Sequence, residues 1–322
     1  MSHHLKAASE ASPLILASIG TVLIDIFEPT SPTASLWGRS AASSRGTIAD
    51  TEFPGDDEFD DLPLKLEKQL HSYGPEIYAH IVKPAVRSGR ELASGPLAGA
   101  EWLHVPPPYS STALLGLISE LSLTSWHPRI VFEPAPTSCH PGELTAFEKA
   151  AALVDVLSPN HEELLSLYAR PIPDDRQEII EAVEKVMRHL LALGVGSRGK
   201  GILAIRCSSL GACIGTAEGG ICWIPSFFQG EQHRVQDVTG AGNAFIGGYI
   251  AGLYLTGDPY EAALHGTVSA SFVIEQLGPP ILHFTPEGER WNGDSAESRL
   301  ATLSGQAKQA VIASPKNASL LY

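Results

Sequence analysis

Cysteine is scarce in this chain. There are four in 322 residues, Cys139, Cys207, Cys213 and Cys222, and no two of them form a C-x-x-C pair. Zinc-binding and dithiol redox motifs therefore find no support, and a reduced, cytoplasmic protein is the simplest expectation. No run of 18 uninterrupted apolar residues occurs, so no membrane span is expected. The stretch PLILASIGTVLIDIF (13–27) is broken by Asp25 and has few bases before it, which favours a buried first strand over a secretory leader. Positive charge is also in short supply. With 22 Lys and Arg against 36 Asp and Glu, the net charge is −14, which argues against a nucleic-acid partner. The histidines His104, His127, His140, His161 and His233 show no metal-ligand spacing and read as surface or hydrogen-bonded side chains. There is no internal repeat and no low-complexity tract.

What is present is ordinary globular material, 43% hydrophobic and 18% charged, with enough length for a sizeable core. Residues 1–12 read as a disordered tail and 13–322 as a single domain. LILASIG (14–20), AEWLHV (100–105), RIVFEP (129–134) and LVDVLSP (153–159) read as strands, and EIYAHIV (76–82) as a weaker one. STALLGLISELS (111–122) is helical. In NHEELLSLY (160–168), Asn160 is placed as an N-cap with Glu163 at N3. EIIEAVEKVMRHLLAL (178–193) puts Ile179, Val183, Val186, Met187, Leu190 and Leu191 on one helical face. Three short strands follow at 202–207, 212–216 and 221–225, then two small-residue-rich helices at 243–257 and 260–278. This alternation predicts an α/β fold with a mostly parallel sheet covered on both faces. Residues 28–65, rich in Ser, Pro, Gly and Asp, include the acidic stretch TEFPGDDEFDDL (51–62), read as a solvated loop.

Three glycine motifs compete. GVGSRGKG (194–201) almost matches the phosphate-loop pattern, but Gly201 stands where a hydroxyl is needed. It also follows a helix and enters a strand, the reverse of the required order. Gly240 and Gly242 begin a dinucleotide fingerprint that Phe245 fails to complete, too near the end of the chain. The third reading is of DVTGAGNAF (237–245) itself. A T-G-A-G run leading into a helix lets the N–H groups of 240–243 converge on an anion, aided by the helix dipole. The structural alternative is a tight turn whose glycines permit close packing.

DVTGAGN, NHEE (160–163), IRCSSLGACIG (205–215), VSASFVIEQLG (268–278) and IGTVLIDI (19–26) occur together in an order and spacing that resembles the ribokinase-like, or PfkB, carbohydrate kinase family. The resemblance spans about residues 14–285 and is specific over 150–285. It implies a ribokinase-like three-layer α/β/α sandwich with about eight strands and a small β lid, reduced here. It implies ATP and Mg2+ as cofactors and a hydroxyl-bearing small molecule as substrate. It assigns Gly240, Ala241 and Gly242 to the anion hole and Asn243 to the general-base position. Asn160, Glu163, Arg206, Ser208, Gly211, Thr239 and Thr267 fall to nucleotide binding, and Asp25 to substrate hydroxyls. Glu163 is implied to serve Mg2+ through water, and Asp237 is a candidate for a monovalent cation. The lid, often a dimerisation element in the family, makes a homodimer an option that its shortness weakens.

Two departures bear on activity. The family's general base is the Asp that closes G-A-G-D, and Asn243 stands there; an amide is no base near neutral pH, which forfeits about 10²–10⁴-fold. The chain is similar in this to a fungal-type branch of the family. A Gly-Gly turn expected after the first strand is missing, so 28–99 reads as a degenerate substrate and lid region. Two functions stay open: a slow phosphotransferase acting on a sugar or nucleoside-like hydroxyl, and a catalytically silent nucleotide-binding or regulatory protein on the same fold.

Overall fold

The computed structural model describes residues 16–18, 88–95, 97–278 and 280–313. The tail, Asp25, the strand expected at 76–82 and nearly all of the 28–99 region lie outside those residues. Chain order begins with β1 (Leu16–Ser18), α1 (Gly89–Ser94), β2 (Trp102–Val105), α2 (Ser111–Leu121), β3 (Arg129–Phe132) and α3 (Leu144–Ala151). It continues with β4 (Val156–Leu157), α4 (His161–Leu167), α5 (Arg176–Leu193), β5 (Ile202–Arg206), β6 (Ala212–Thr216) and β7 (Gly220–Ile224). The last elements are α6 (Ala241–Thr256), α7 (Pro259–Ile274), β8 (Leu282–Thr285), β9 (Gly288–Trp291) and α8 (Ala296–Ala313).

Strands β1 to β7 form one sheet in sequential order. β1 through β5 run parallel, in registers such as Leu103↔Ile130 and Val156↔Ile202. β6 and β7 add antiparallel at the edge, with Ile205↔Cys213 and Ile214↔Cys222 opposed. The expected parallel sheet is thus present, with seven strands among the described residues. β8 and β9 make a separate hairpin that the sequence pattern did not announce.

Side-chain alternation along the strands sorts the core into two layers. Leu103, Val105, Ile130, Phe132, Leu157, Leu203, Ile205 and Cys213 join the buried faces of α2 to α5. Trp102, Val131, Val156, Ala204, Ala212 and Ile214 face the other way, against Phe245, Ile246, Tyr249 and Ile250 of α6 and Ala262 and Ala263 of α7. Strands buried on both faces carry apolar residues at most positions, which is why they read as near-continuous runs rather than alternations.

Helix boundaries follow local chemistry. Asp175 caps α5 by accepting from the N–H groups of Gln177 and Glu178, so the helix starts two residues earlier than its periodicity indicated. Its apolar stripe buries Val183, Val186, Met187 and Leu190, each worth about 1.5–3 kcal/mol. Ile179 and Leu191 are only partly buried. GVGSRGKG forms the turn between α5 and β5, as its context required. Helix α8 is pinned by Arg299, which is 3% exposed. Its guanidinium reaches Glu275 at 2.7 and 3.0 Å and Asp294 at 3.0 Å, and lies 3.8 Å from the Phe272 ring centroid.

Candidate phosphate site at the strand ends

The parallel strands end on the same side of the sheet, the edge at which open α/β sheets receive ligands. Polar groups gather there from successive strands: His104 in β2, Glu133 after β3, Ser158 after β4 and Arg206 closing β5. Glu133 is 3% exposed. Its Oε1 accepts from Arg206 Nη1 at 2.7 Å, and its Oε2 lies 3.4 Å from His104 Nε2. Arg206 Nη2 donates to the Ser158 carbonyl at 3.0 Å and stands 3.7 Å from Glu163 Oε2. One guanidinium therefore ties three strand ends to the first turn of α4.

Asn160 and Glu163 form the capping box that their spacing indicates. Asn160 Oδ1 accepts from the Glu163 N–H, and Glu163 Oε2 accepts from the Asn160 N–H, both at 2.8 Å. The T-G-A-G run also leads into a helix. Asp237 Oδ1 accepts the Thr239 N–H at 3.0 Å. Gly240 is the α6 N-cap at φ +80° and ψ −7°. The Ala241 N–H is taken up by the Val238 carbonyl at 3.1 Å, so it does not contribute to an anion hole as expected. The N–H groups of Gly240, Gly242 and Asn243 have no acceptor among the described residues. Asn243 is exposed in the first turn of α6.

Gly242 joins the two halves of the site. A Cβ added there would meet Arg206 Nη1, so a larger residue would displace the guanidinium from the start of α6. The remaining nucleotide-site candidates are more dispersed. Ser208, exposed at φ +51°, occupies a position where the family resemblance implies glycine. At Gly211 a Cβ would lie 2.1 Å from the Ile224 carbonyl, so this glycine is demanded by strand packing. Thr267 is buried in α7, with a hydroxyl that has no partner among the described residues.

Sequence reasoning missed Glu133 and His104. Glu133 carried a usable signal, a carboxylate at the end of a buried apolar strand; His104 carried none, because its ring position next to Glu133 is a product of strand register. The electrostatics follow from burial. Burial pushes the Glu133 carboxyl up, but Arg206 and His104 outweigh it and hold the group below the ordinary carboxylate value. For Glu163 burial prevails over Arg206 and the Asn160 N–H, and its carboxyl rises to about 7. Burial lowers the His161 imidazole and raises the thiols of Cys139 and Cys207, which leaves them inert.

This yields a pH prediction. Glu163 titrates near 4.5 when unfolded and near 7 when folded, so between those values the native state holds the extra proton. Its contribution to stability is present at low pH and is lost as pH rises through that window, by roughly 3 kcal/mol. His161, with its folded value below 6.5, works in the opposite direction over part of the same range. The comparison of wild type with Glu163→Gln therefore isolates the effect. Gln keeps the capping acceptor and stays neutral. Denaturant titrations should show the variant gaining on wild type from pH 5 to 8; parallel profiles would remove the buried-carboxyl assignment.

The model of the pfkB family of carbohydrate kinases matches residues 129–282. An uncharacterized protein of Schizosaccharomyces pombe is 34% identical over 248 residues, covering 72% of this chain and 67% of that protein. Protein MAK32 of Saccharomyces cerevisiae is 26% identical over 205 residues, covering 59% of this chain and 54% of its own length. This chain thus spans about two thirds of one curated relative and about half of the other. Among solved structures, a ribokinase from Cryptococcus neoformans in complex with ADP matches at a TM-score of 0.47 and 19% identity. That match covers 66% of this chain and 62% of the ribokinase.

Proposed function

Because the chain belongs to the pfkB family of carbohydrate kinases, we propose that it binds ATP at the strand ends and transfers the γ-phosphoryl group slowly to a hydroxyl of a sugar or nucleoside-like molecule. The observation that carries this reading is the meeting of Arg206 with the first turn of α6, where three N–H groups lack acceptors among the described residues. A terminal phosphate set there would accept from those N–H groups and face a fixed guanidinium. Ser208 and Thr267 are the proposed contacts toward the nucleoside, and Asp25 the proposed contact to the acceptor hydroxyl.

The chain's own groups supply positioning and charge more than proton transfer. Phosphoryl transfer depends mainly on these two contributions, so turnover can persist where Asn243 cannot take the hydroxyl proton. The exposed amide of Asn243 at the base position favours the second reading, a catalytically silent nucleotide-binding or regulatory protein. Asp237, whose Oδ1 accepts the Thr239 N–H, is the proposed ligand of a monovalent cation. A cytoplasmic location completes the proposal, with a homodimer an option that the short lid weakens.

Nucleotide binding is the measurable core of it. ATP at 100 times its dissociation constant is expected to add roughly 2.7 kcal/mol to stability and to raise Tm accordingly. Thermal shift and calorimetry with ATP, ADP and a panel of sugars check this. Neither a shift nor heat with any nucleotide, with or without Mg2+, would end the nucleotide-site reading.

A further inference from the structure

The family resemblance places Mg2+ beside Glu163, and two carboxylates facing a common space, Glu133 and Glu163, have the chemistry to hold it. The space between them is filled by Arg206. Its Nη1 is 2.7 Å from Glu133 Oε1 and its Nη2 is 3.7 Å from Glu163 Oε2. The Ser158 carbonyl fixes Nη2 from below, and the side chain is only 13% exposed, so the guanidinium is held in place rather than sampling solvent. Glu163 Oε2 is further committed to the Asn160 N–H at 2.8 Å. Among the described residues no group of three His, Cys, Asp or Glu side chains is arranged to hold a metal ion. A divalent cation entering here meets a guanidinium already paired with Glu133 and close to Glu163. The donor set does not fit a resident Mg2+.

The same guanidinium does fit an anion. Nη1 lies against Gly242, beside N–H groups without acceptors among the described residues, and Nε–H is buried with no hydrogen-bond partner among them. We propose that this site takes the phosphate of a metal-free nucleotide, held by the Arg206 Nε–H and the N–H groups at the start of α6, in a place where the guanidinium already occupies the position that a divalent cation would take. The inference rests on the nucleotide reading above and deepens it. It specifies the ligand as the fully anionic polyphosphate rather than its magnesium complex.

The test uses the full chain and measures the ATP dissociation constant by calorimetry in excess EDTA and in excess MgCl2, with inorganic pyrophosphate as a second probe. ATP and pyrophosphate are expected to bind in EDTA at least as tightly as with Mg2+. The paired variant Arg206→Gln with Glu133→Gln removes both charges of the buried pair together and so leaves neither uncompensated. It should weaken binding in EDTA about tenfold or more, the value of a charge-assisted contact. Binding that requires Mg2+, or is tightened tenfold by it, overturns the inference and leaves the nucleotide reading standing. Wild-type affinity of the paired variant in EDTA also overturns it. No nucleotide binding in either buffer overturns both. The wild-type comparison decides the matter without the variant if that variant fails to fold.

Discussion

Arg206→Met should destabilise the protein by about 3–5 kcal/mol at neutral pH, the usual cost of stripping one partner from a buried ion pair. Glu133 is 3% exposed and takes its one short charged contact, 2.7 Å, from Arg206 Nη1. Without the guanidinium the carboxylate keeps only His104 Nε2, 3.4 Å away. Burial, which already pushes its carboxyl up, would then prevail, and Glu133 would tend to fold protonated. Two consequences separate this account from simple loss of packing. The deficit should shrink as pH falls, because protonation discharges the buried group in both states. Adding Glu133→Gln to Arg206→Met should restore much of the loss, since a neutral amide tolerates the site far better than an unpaired charge. Urea titrations of the two variants across pH decide it. A deficit below 1 kcal/mol, or a double variant no better than the single, would mean that the pair is not a structural keystone.

Asn243→Asp is expected to raise phosphotransferase turnover by about 10²-fold or more, the lower range of what general-base catalysis contributes. Asn243 is exposed in the first turn of α6, and its amide can become a carboxylate without a change of shape. The helix dipole favours the ionised form at that position, and Arg206 lies against the preceding residue, Gly242. Both keep the new group charged and able to take a hydroxyl proton. If the divergent 28–99 region fails to position the acceptor, the gain shrinks, because an unplaced hydroxyl forfeits proximity. ATP consumption by both proteins across a panel of sugars and nucleosides measures this. A natural protein already turning over at about 1–100 per second, and slowed by Asn243→Asp, would show that Asn243 belongs to a different mechanism.

The sequence by itself determined the layered α/β architecture, because that information is local. Strands buried on both faces must be largely apolar, helices must keep a stripe, and the cap at Asn160 follows from spacing alone. It also determined that a polar turn rich in small residues would open α6. Only the tertiary structure decided what those features do together. Glu133 and Arg206 are 73 positions apart by number, and Gly242 is 36 beyond Arg206. Their meeting depends on which strands neighbour one another and in what register, and no local pattern encodes either. Glycine at 242 could have served an anion or a close contact; only the tertiary structure shows that it makes the contact with Arg206, beside the N–H groups proposed to meet the phosphate. Glu163 likewise read as a cap with a role toward a metal. Burial beside Arg206 makes it a carboxyl that titrates near neutrality, because desolvation is set by what the whole chain packs around a group.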